Sequence, residues 1–167
     1  MKKVVIVLFL IMIVLLINEG EAKVLIPKDS IRFRIIANSN SLEDQMKKLK
    51  IKEDLKPIVT NILQDSNSLS DARKKVKNNL HEVTDILNKY DTPYKINYGL
   101  NYFPEKNYKG VTYESGNYES LVVTLGDGLG DNWWCVLFPP LCLLEAEDTD
   151  NEDIVYTSYV KKILDKY

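Results

Sequence analysis

Few side chains in this sequence could do acid–base chemistry. His81 is the only histidine, so any reaction that needs an imidazole must use it. At about 100° per helical residue, His81 lies roughly 140° from the centre of the apolar stripe formed by Val76, Leu80, Val83 and Leu87. A general base needs an oriented, partly enclosed setting. The spacing therefore predicts an ordinary surface histidine.

Cys135 and Cys142 are the two cysteines. A nucleophilic thiol needs a lowered pKa and a nearby base, but both cysteines lie among apolar residues that would raise a thiol pKa. A disulfide closing the loop 136–141 is the better interpretation in an exported chain, and two buried free thiols are the alternative. Together with His81, this pattern predicts that the chain is not an enzyme.

A glycine-rich run, Gly126-Asp-Gly-Leu-Gly-Asp-Asn132, has the composition of a ligand-binding loop. Its third glycine comes one residue too early for the dinucleotide fingerprint, and no βαβ unit surrounds it. Asp127, Asp131 and Asn132 could bind calcium, but the alternating oxygens and distal Glu of an EF-hand are missing. We therefore predict a turn whose glycines take positive φ, with no metal and no cofactor.

Two adjacent tryptophans, Trp133 and Trp134, precede the run Phe138-Pro-Pro-Leu141. On a strand, neighbouring side chains face opposite ways, so one tryptophan can enter the core while the other stays near the surface. Three interpretations remain open: both tryptophans in the core, a hydrophobic anchor for a protein partner, or a platform on which cell-wall sugars stack.

The elements that position these residues begin with a strand over Ile31–Ala37, where apolar and basic residues alternate. Ser41 and Asp44 resemble a capping box and predict the start of a helix, which Pro57 should kink or divide. One face of this helix carries Ile51, Leu55, Ile58 and Ile62. A second face, with Leu42, Met46 and Leu49, predicts another neighbour. A second amphipathic helix is predicted from Leu69 to about Asn88.

The remaining pattern is mostly that of strands. Alternation predicts a strand from Tyr94 to Tyr102, and residues 105–117 predict a long loop or irregular hairpin. Residues 118–125 and 133–138 predict two strands paired across the glycine turn. A C-terminal helix is predicted at 154–167, with a strand as the alternative. This order predicts a single α+β domain, with an antiparallel sheet packed against two amphipathic helices.

The first 22 residues have the layout of a signal segment. Two lysines precede an apolar run from Val4 to Ile17, and Gly20-Glu-Ala22 offers a cleavage site. At about 1.5 Å per residue the run spans about 21 Å, short of a hydrocarbon core of about 30 Å. We predict export with cleavage, or else retention as a signal anchor, so that the membrane is contacted only through this segment.

The charge of the chain limits which classes of protein it can belong to. The formal net charge is −2, which excludes the basic footprint of a nucleic-acid-binding protein. Glu145 to Asp153 carries six acids and no base, which predicts a solvated acidic linker. The predicted organisation is therefore a signal segment (1–22), a signalling domain (23–144), the linker (145–153) and the C-terminal helix (154–167).

Two blocks of this sequence resemble stage II sporulation protein R. They are Asn132-Trp-Trp-Cys-Val-Leu-Phe-Pro-Pro-Leu-Cys142 and Ile31-Arg-Phe-Arg-Ile-Ile-Ala-Asn-Ser-Asn-Ser-Leu-Glu-Asp-Gln45. The resemblance implies export from the forespore into the space between forespore and mother cell. It further implies action on the outer part of a membrane-embedded aspartic protease, which then removes the pro-segment of sigma-E.

We accordingly predict an exported activator of that protease, with an exported cell-wall-binding protein or hydrolase of the sporulation septum as the alternative. The predicted partner-binding residues are Asn132, Trp133, Trp134, Phe138 and Leu141. Their large apolar area lies beside a bridged, proline-stiffened loop, which lowers the ordering cost of binding.

Overall fold

The computed structural model describes residues 24–142 and 152–167. The predicted signal segment lies outside the described residues, and so does the acidic linker up to residue 151. At 152–153 the linker prediction is wrong, because the last helix has already begun there. Within the two described ranges, no helix is both long and apolar enough to span a membrane.

Seven strands and four helices make up the described chain. The strands are β1 (Val24–Leu25), β2 (Ile31–Ile36), β3 (Tyr94–Phe103), β4 (Lys106–Tyr108), β5 (Val111–Tyr113), β6 (Gly116–Leu125) and β7 (Asn132–Phe138). The helices are α1 (Leu42–Leu63), α2 (Leu69–Asn78), α3 (Leu80–Leu87) and α4 (Glu152–Leu164). The predicted α+β class and the C-terminal helix are confirmed.

The main sheet has the strand order β3-β6-β2-β7. β6 pairs antiparallel with β3, and β7 pairs antiparallel with β2, but β2 and β6 run parallel. The prediction of an antiparallel sheet is therefore wrong for the central pair. The parallel pair is possible because the chain between β2 and β6 contains three helices and the outer strand β3, which is enough for a crossover.

The prediction that residues 118–125 and 133–138 pair with each other is also wrong, because β2 lies between β6 and β7. The glycine turn passes over the end of β2 and is hydrogen bonded to it. Leu129 N donates to the Asn38 carbonyl at 2.9 Å, and Gly130 N donates to the Ala37 carbonyl at 2.9 Å. Gly126 and Gly128 have positive φ, as predicted, whereas Gly130 does not.

Three helices, rather than the predicted two, cover one face of this sheet. The break lies at Asn79, whose side-chain amide donates to the Lys75 carbonyl at 2.7 Å. Such local side-chain bonds compete with the helical ladder, so the stretch predicted as one helix becomes α2 and α3. The first helix begins at the predicted cap, where Ser41 accepts from Asp44 N. It continues through Pro57, so no second segment starts there.

The second apolar face of α1 does not have the predicted neighbour in the described chain. Leu42, Met46 and Leu49 are 77%, 61% and 48% exposed. The opposite face is buried through Ile51, Leu55 and Val59, and one contact side is enough to hold the helix on the sheet.

The described residues form two hydrophobic cores, one on each face of the main sheet. The larger core lies between the sheet and α1–α3 and includes Phe33, Ile35, Leu121 and Val123. The smaller core lies under a second sheet of order β1-β5-β4 and under α4. β4 and β5 form the irregular hairpin predicted for residues 105–117, and β1 pairs parallel with β5.

Candidate partner-binding groove

The two adjacent tryptophans lie on opposite faces of β7, as the alternation of a strand requires. Trp133 packs on the helix side against Phe33, with ring centroids 5.9 Å apart, and Lys52 Nζ lies 5.4 Å from its ring centroid. Trp134 packs on the other face against Phe103 at 5.4 Å and Tyr113 at 5.0 Å. Both tryptophans are half-buried, so each keeps surface available for a partner.

The other predicted partner-binding residues lie in different surroundings. Phe138 and Leu141 are each only 4% exposed, with Phe138 in the larger core and Leu141 in the smaller one. Asn132 is exposed at the start of β7. The structure therefore does not bring the four apolar residues into one exposed patch. Only the tryptophans and Asn132 present surface.

The predicted disulfide between Cys135 and Cys142 is present, with Cα atoms 5.3 Å apart. The loop it closes folds back on the strand. Leu141 N and Cys142 N both donate to the Val136 carbonyl oxygen, at 3.1 and 3.0 Å. The cross-link and these two hydrogen bonds hold the end of β7 in one conformation.

A groove of about 200 Å³ runs over this end of β7, between the disulfide and the second sheet. Its walls are mainly aromatic. The aromatic residues among the described lining are Tyr108, Tyr113, Trp133, Trp134 and Tyr156. Lys106 also lines the groove. Of the predicted partner-binding residues, Trp133, Trp134 and Leu141 line this groove, whereas the tyrosines and Lys106 were not predicted. For Lys106, Tyr108 and Tyr113 the only sequence signal was the polar, tyrosine-containing segment 105–117, and for Tyr156 it was the apolar pattern of the C-terminal helix.

Two tyrosines of the groove, Tyr113 and Tyr156, keep neutral hydroxyl groups. The Tyr113 and Tyr156 hydroxyl groups are 2.8 Å apart and share a hydrogen bond. Burial raises the pKa of Tyr113 and the pKa of Tyr156 above the usual value. Neither hydroxyl group therefore ionises at physiological pH, and neither adds negative charge to the groove.

Arg32 is fully buried among the rings of Tyr118, Phe103 and Trp134. Its Cζ atom is 3.3 Å from the centroid of the Tyr118 ring, 5.0 Å from that of Phe103 and 5.1 Å from that of Trp134. None of its three guanidinium nitrogens has a hydrogen-bond acceptor in the described chain. Burial lowers the pKa of Arg32, but an arginine remains charged at physiological pH.

A buried cation without an acceptor is uncommon, because desolvating a charge is costly unless it is paired. Cation–π contacts offset part of this cost. The alternation along Ile31–Ala37 predicts a half-buried strand and gives no indication that Arg32 is buried. Arg34, two residues on, is less buried and donates to the Tyr102 carbonyl at 2.7 Å.

No catalytic constellation is found in the described ranges. His81 is exposed on α3, as predicted. The described residues include no free cysteine and no cluster of three or more His, Cys, Asp or Glu side chains that could hold a metal. The groove on β7 is therefore the best-supported candidate site.

Comparison with known proteins identifies the family. The family description "Stage II sporulation protein R" matches residues 27–148. A relative, stage II sporulation protein R of Bacillus subtilis (strain 168), is 36% identical over 128 residues, which cover 73% of this chain and 57% of the relative. No solved structure matches the chain. Because the match covers most of the chain, including β2 and β7, this protein belongs to the stage II sporulation protein R family.

Proposed function

We propose that this chain is an exported signalling protein of endospore formation, secreted across the forespore membrane. In this proposal it activates a membrane-embedded aspartic protease of the mother cell, which then cleaves pro-sigma-E. The observation that carries the proposal is the family match over residues 27–148, together with the resemblance of both sequence blocks. The match covers only 57% of the length of the relative. The activity and the partner of this chain are therefore our proposal.

The groove on β7 supports a role in protein contact. Tryptophan and tyrosine are enriched among residues that dominate binding energy, and Trp134, Tyr108 and Tyr113 line this groove. The disulfide from Cys135 fixes the strand beneath them, so little conformational entropy is lost on binding. Phe138 and Leu141 contribute from the two cores, where they hold the strand and its loop in place.

The proposal is tested by reconstitution in a bacterium that does not sporulate. The cognate membrane protease and pro-sigma-E are co-expressed with or without this chain, and processed sigma is followed by immunoblot. Processing that requires the chain and its first 22 residues supports an exported activator. If processing is independent of the chain although export is verified, the proposed function is wrong.

The groove is tested in the same assay with matched variants. Trp134→Ala removes the ring shared by the groove and the smaller core, and we expect at least a tenfold loss of processing, which corresponds to about 1.4 kcal/mol of binding free energy. Tyr102→Ala is the control, because Tyr102 is an exposed aromatic residue on β3 that does not line the groove. Thermal unfolding of each purified variant separates a binding defect from a folding defect.

Cell-wall binding is the second candidate, because rings that line a groove can also stack on sugars. It is measured by sedimentation of the purified chain with peptidoglycan. Binding that Trp134→Ala abolishes, in a chain that does not support processing, would favour the wall-binding function.

A further inference from the structure

β7 is an edge strand with hydrogen-bonding groups available on its outer side. It pairs with β2 on one side, and the described residues supply no strand on the other. Val136 uses its outward carbonyl oxygen to accept from Leu141 N and Cys142 N. Backbone groups of alternate residues point the same way along a strand. The N–H and C=O of Trp134, two residues earlier, therefore also point outward.

Within residues 24–142 and 152–167, the outward N–H and C=O of Trp134 have no backbone hydrogen-bond partner. An unpaired strand edge readily accepts an extended peptide as an additional strand. Here the edge faces the aromatic groove, so a peptide that pairs with Trp134 would also lay its side chains against the groove walls.

The groove is also positively charged. Lys106 Nζ lies 5.4 Å from the centroid of the Trp134 ring and 5.5 Å from that of Tyr108, and it makes no ion pair with another described residue. Arg32 Cζ lies 5.1 Å from the centroid of the same Trp134 ring and also lacks an anionic partner in the described chain. Within the described chain, no carboxylate lines the groove.

Lys106 and Arg32 are positively charged, and no carboxylate of the described chain lines the groove. The groove is therefore complementary to a negatively charged ligand. The interaction is strengthened by the buried position of Arg32, because charges act over longer distances where the dielectric constant is low. The volume of about 200 Å³ is below the range of about 300–1,000 Å³ typical of small-molecule pockets. A few side chains of a peptide fit this space better than a complete small ligand.

We propose that the groove binds an extended acidic segment of the partner protein as an additional strand along β7, with a carboxylate of that segment paired to Lys106. The inference rests on the proposed function only in naming the source of the segment, which is the extracytoplasmic part of the protease. Trp134 supplies both the pairing backbone and the stacking surface, and Arg32 adds positive potential from below.

The test uses the purified full chain and synthetic fifteen-residue peptides that tile the extracytoplasmic part of the cognate protease. Binding is measured by fluorescence anisotropy. We expect the bound peptides to carry Asp or Glu, and Lys106→Glu to weaken their binding about tenfold or more. Lys95→Glu is the matched control, because Lys95 is an exposed lysine on β3 outside the groove, and it should leave binding within about twofold.

Charge reversal gives the decisive comparison. A bound peptide whose acidic residue is replaced by Lys should lose affinity for the natural chain and regain it with the Lys106→Glu variant. Neutral or basic bound peptides, equal effects of Lys106→Glu and Lys95→Glu, or absence of this rescue would each overturn the proposal. Peptidoglycan sedimentation that depends on Trp134, without any peptide binding, would also overturn it.

This test and the reconstitution assay can fail separately. If the chain activates processing but peptide binding ignores Lys106, the acidic-segment proposal is wrong and the activator function stands. If acidic peptides bind and show rescue but processing never depends on the chain, the groove proposal stands and the activator function is wrong. A further variant in the peptide-binding assay carries Glu145→Gln and Glu147→Gln. A gain in peptide affinity would show that the chain's own carboxylates occupy the groove, which also overturns the proposal.

Discussion

The ammonium group of Lys48, on α1, donates a 2.9 Å hydrogen bond to the main-chain carbonyl oxygen of Asp131, in the glycine turn. It also donates to the Gln45 side chain at 2.6 Å, and it is almost fully buried. Burial lowers the pKa of Lys48, so the charge is held at some cost. This contact ties the helix that follows β2 to the turn that leads into β7, and it therefore helps to position the tryptophans.

We expect Lys48→Met to lower the free energy of unfolding by about 1–3 kcal/mol, because it leaves the Asp131 carbonyl without its charged donor. Urea denaturation measures the change. Lys74→Met is the control, since Lys74 is an exposed lysine on α2 and should change stability by less than about 0.5 kcal/mol. Equal effects of the two substitutions would show that the Lys48 contact does not stabilise the fold.

Gly130 should not tolerate a side chain. A Cβ atom at this position would overlap the carbonyl oxygen of Ser39, where the turn crosses the end of β2. We expect Gly130→Ala to lower the free energy of unfolding by about 1–3 kcal/mol. Gly99→Ala provides the comparison, because its nearest neighbour would be Asn97 Oδ1 at 3.7 Å, an ordinary contact. Thermal melts in which both variants match the natural chain would contradict the tight crossing.

The disulfide should stabilise the domain through the unfolded state. Cys135 and Cys142 are seven residues apart, and closing a loop of this size is worth about 2–3 kcal/mol. We expect the double substitution Cys135→Ser, Cys142→Ser to lower the free energy of unfolding by that amount. Reductant should lower the natural chain to the same level and leave the double variant unchanged. A natural chain that is insensitive to reductant would argue against the bridge.

The buried guanidinium of Arg32 should cost stability, because it is desolvated without a hydrogen-bond acceptor in the described chain. Methionine fills similar space without a charge, so we expect Arg32→Met to raise the free energy of unfolding or to change it by less than about 1 kcal/mol. Arg32→Ala should be clearly destabilising, because it removes the packing between Tyr118 and Trp134. A large loss of stability in Arg32→Met would mean that the guanidinium has a partner of its own.

Asp44 should make stability sensitive to acid. Its carboxylate accepts from Ser39 Oγ at 2.6 Å and from Asn38 Nδ2 at 2.9 Å. The Ser39 and Asn38 hydrogen bonds, in that order, lower the pKa of Asp44. The unfolded chain therefore binds the proton first as the pH falls. The stabilisation is complete above the ordinary Asp pKa of about 3.9 and is lost as the pH falls through the lowered value.

We expect Asp44→Asn to remove that part of the acid dependence. The measurement is the urea midpoint as a function of pH below about pH 5, compared with Asp85→Asn on α3. Asp85 is exposed and has no hydrogen bond or ion pair with another described residue, so Asp85→Asn controls for the loss of one carboxylate. A profile that Asp44→Asn does not alter would contradict this assignment.

The sequence by itself determined the local elements. The Ser41 cap, the alternation along β3, the positive φ of Gly126 and Gly128 and the C-terminal helix all follow from short-range preferences. The structure confirms each of them. The disulfide also followed from the sequence, because two cysteines in a short loop leave one pairing.

The tertiary structure decided which elements became neighbours. Short connections usually join adjacent strands, so the glycine turn predicted a β6–β7 hairpin, whereas β2 lies between the two strands. Inserting β2 requires a turn that crosses a strand end, and this depends on contacts between Gly130 and Ser39 that are distant in the sequence. The hydrophobic periodicity of a sequence does not predict a contact of this kind.

The same reason explains why only part of the candidate groove could be predicted from the sequence. Trp133 and Trp134 stood out by type and position, but Lys106, Tyr113 and Tyr156 come from other elements and meet the tryptophans only after folding. Arg32 was predicted on a strand with alternating faces, yet its burial depends on rings from β3, β6 and β7 closing around it. Local preferences select strands and helices, whereas the long-range packing of those elements creates the groove and its charge.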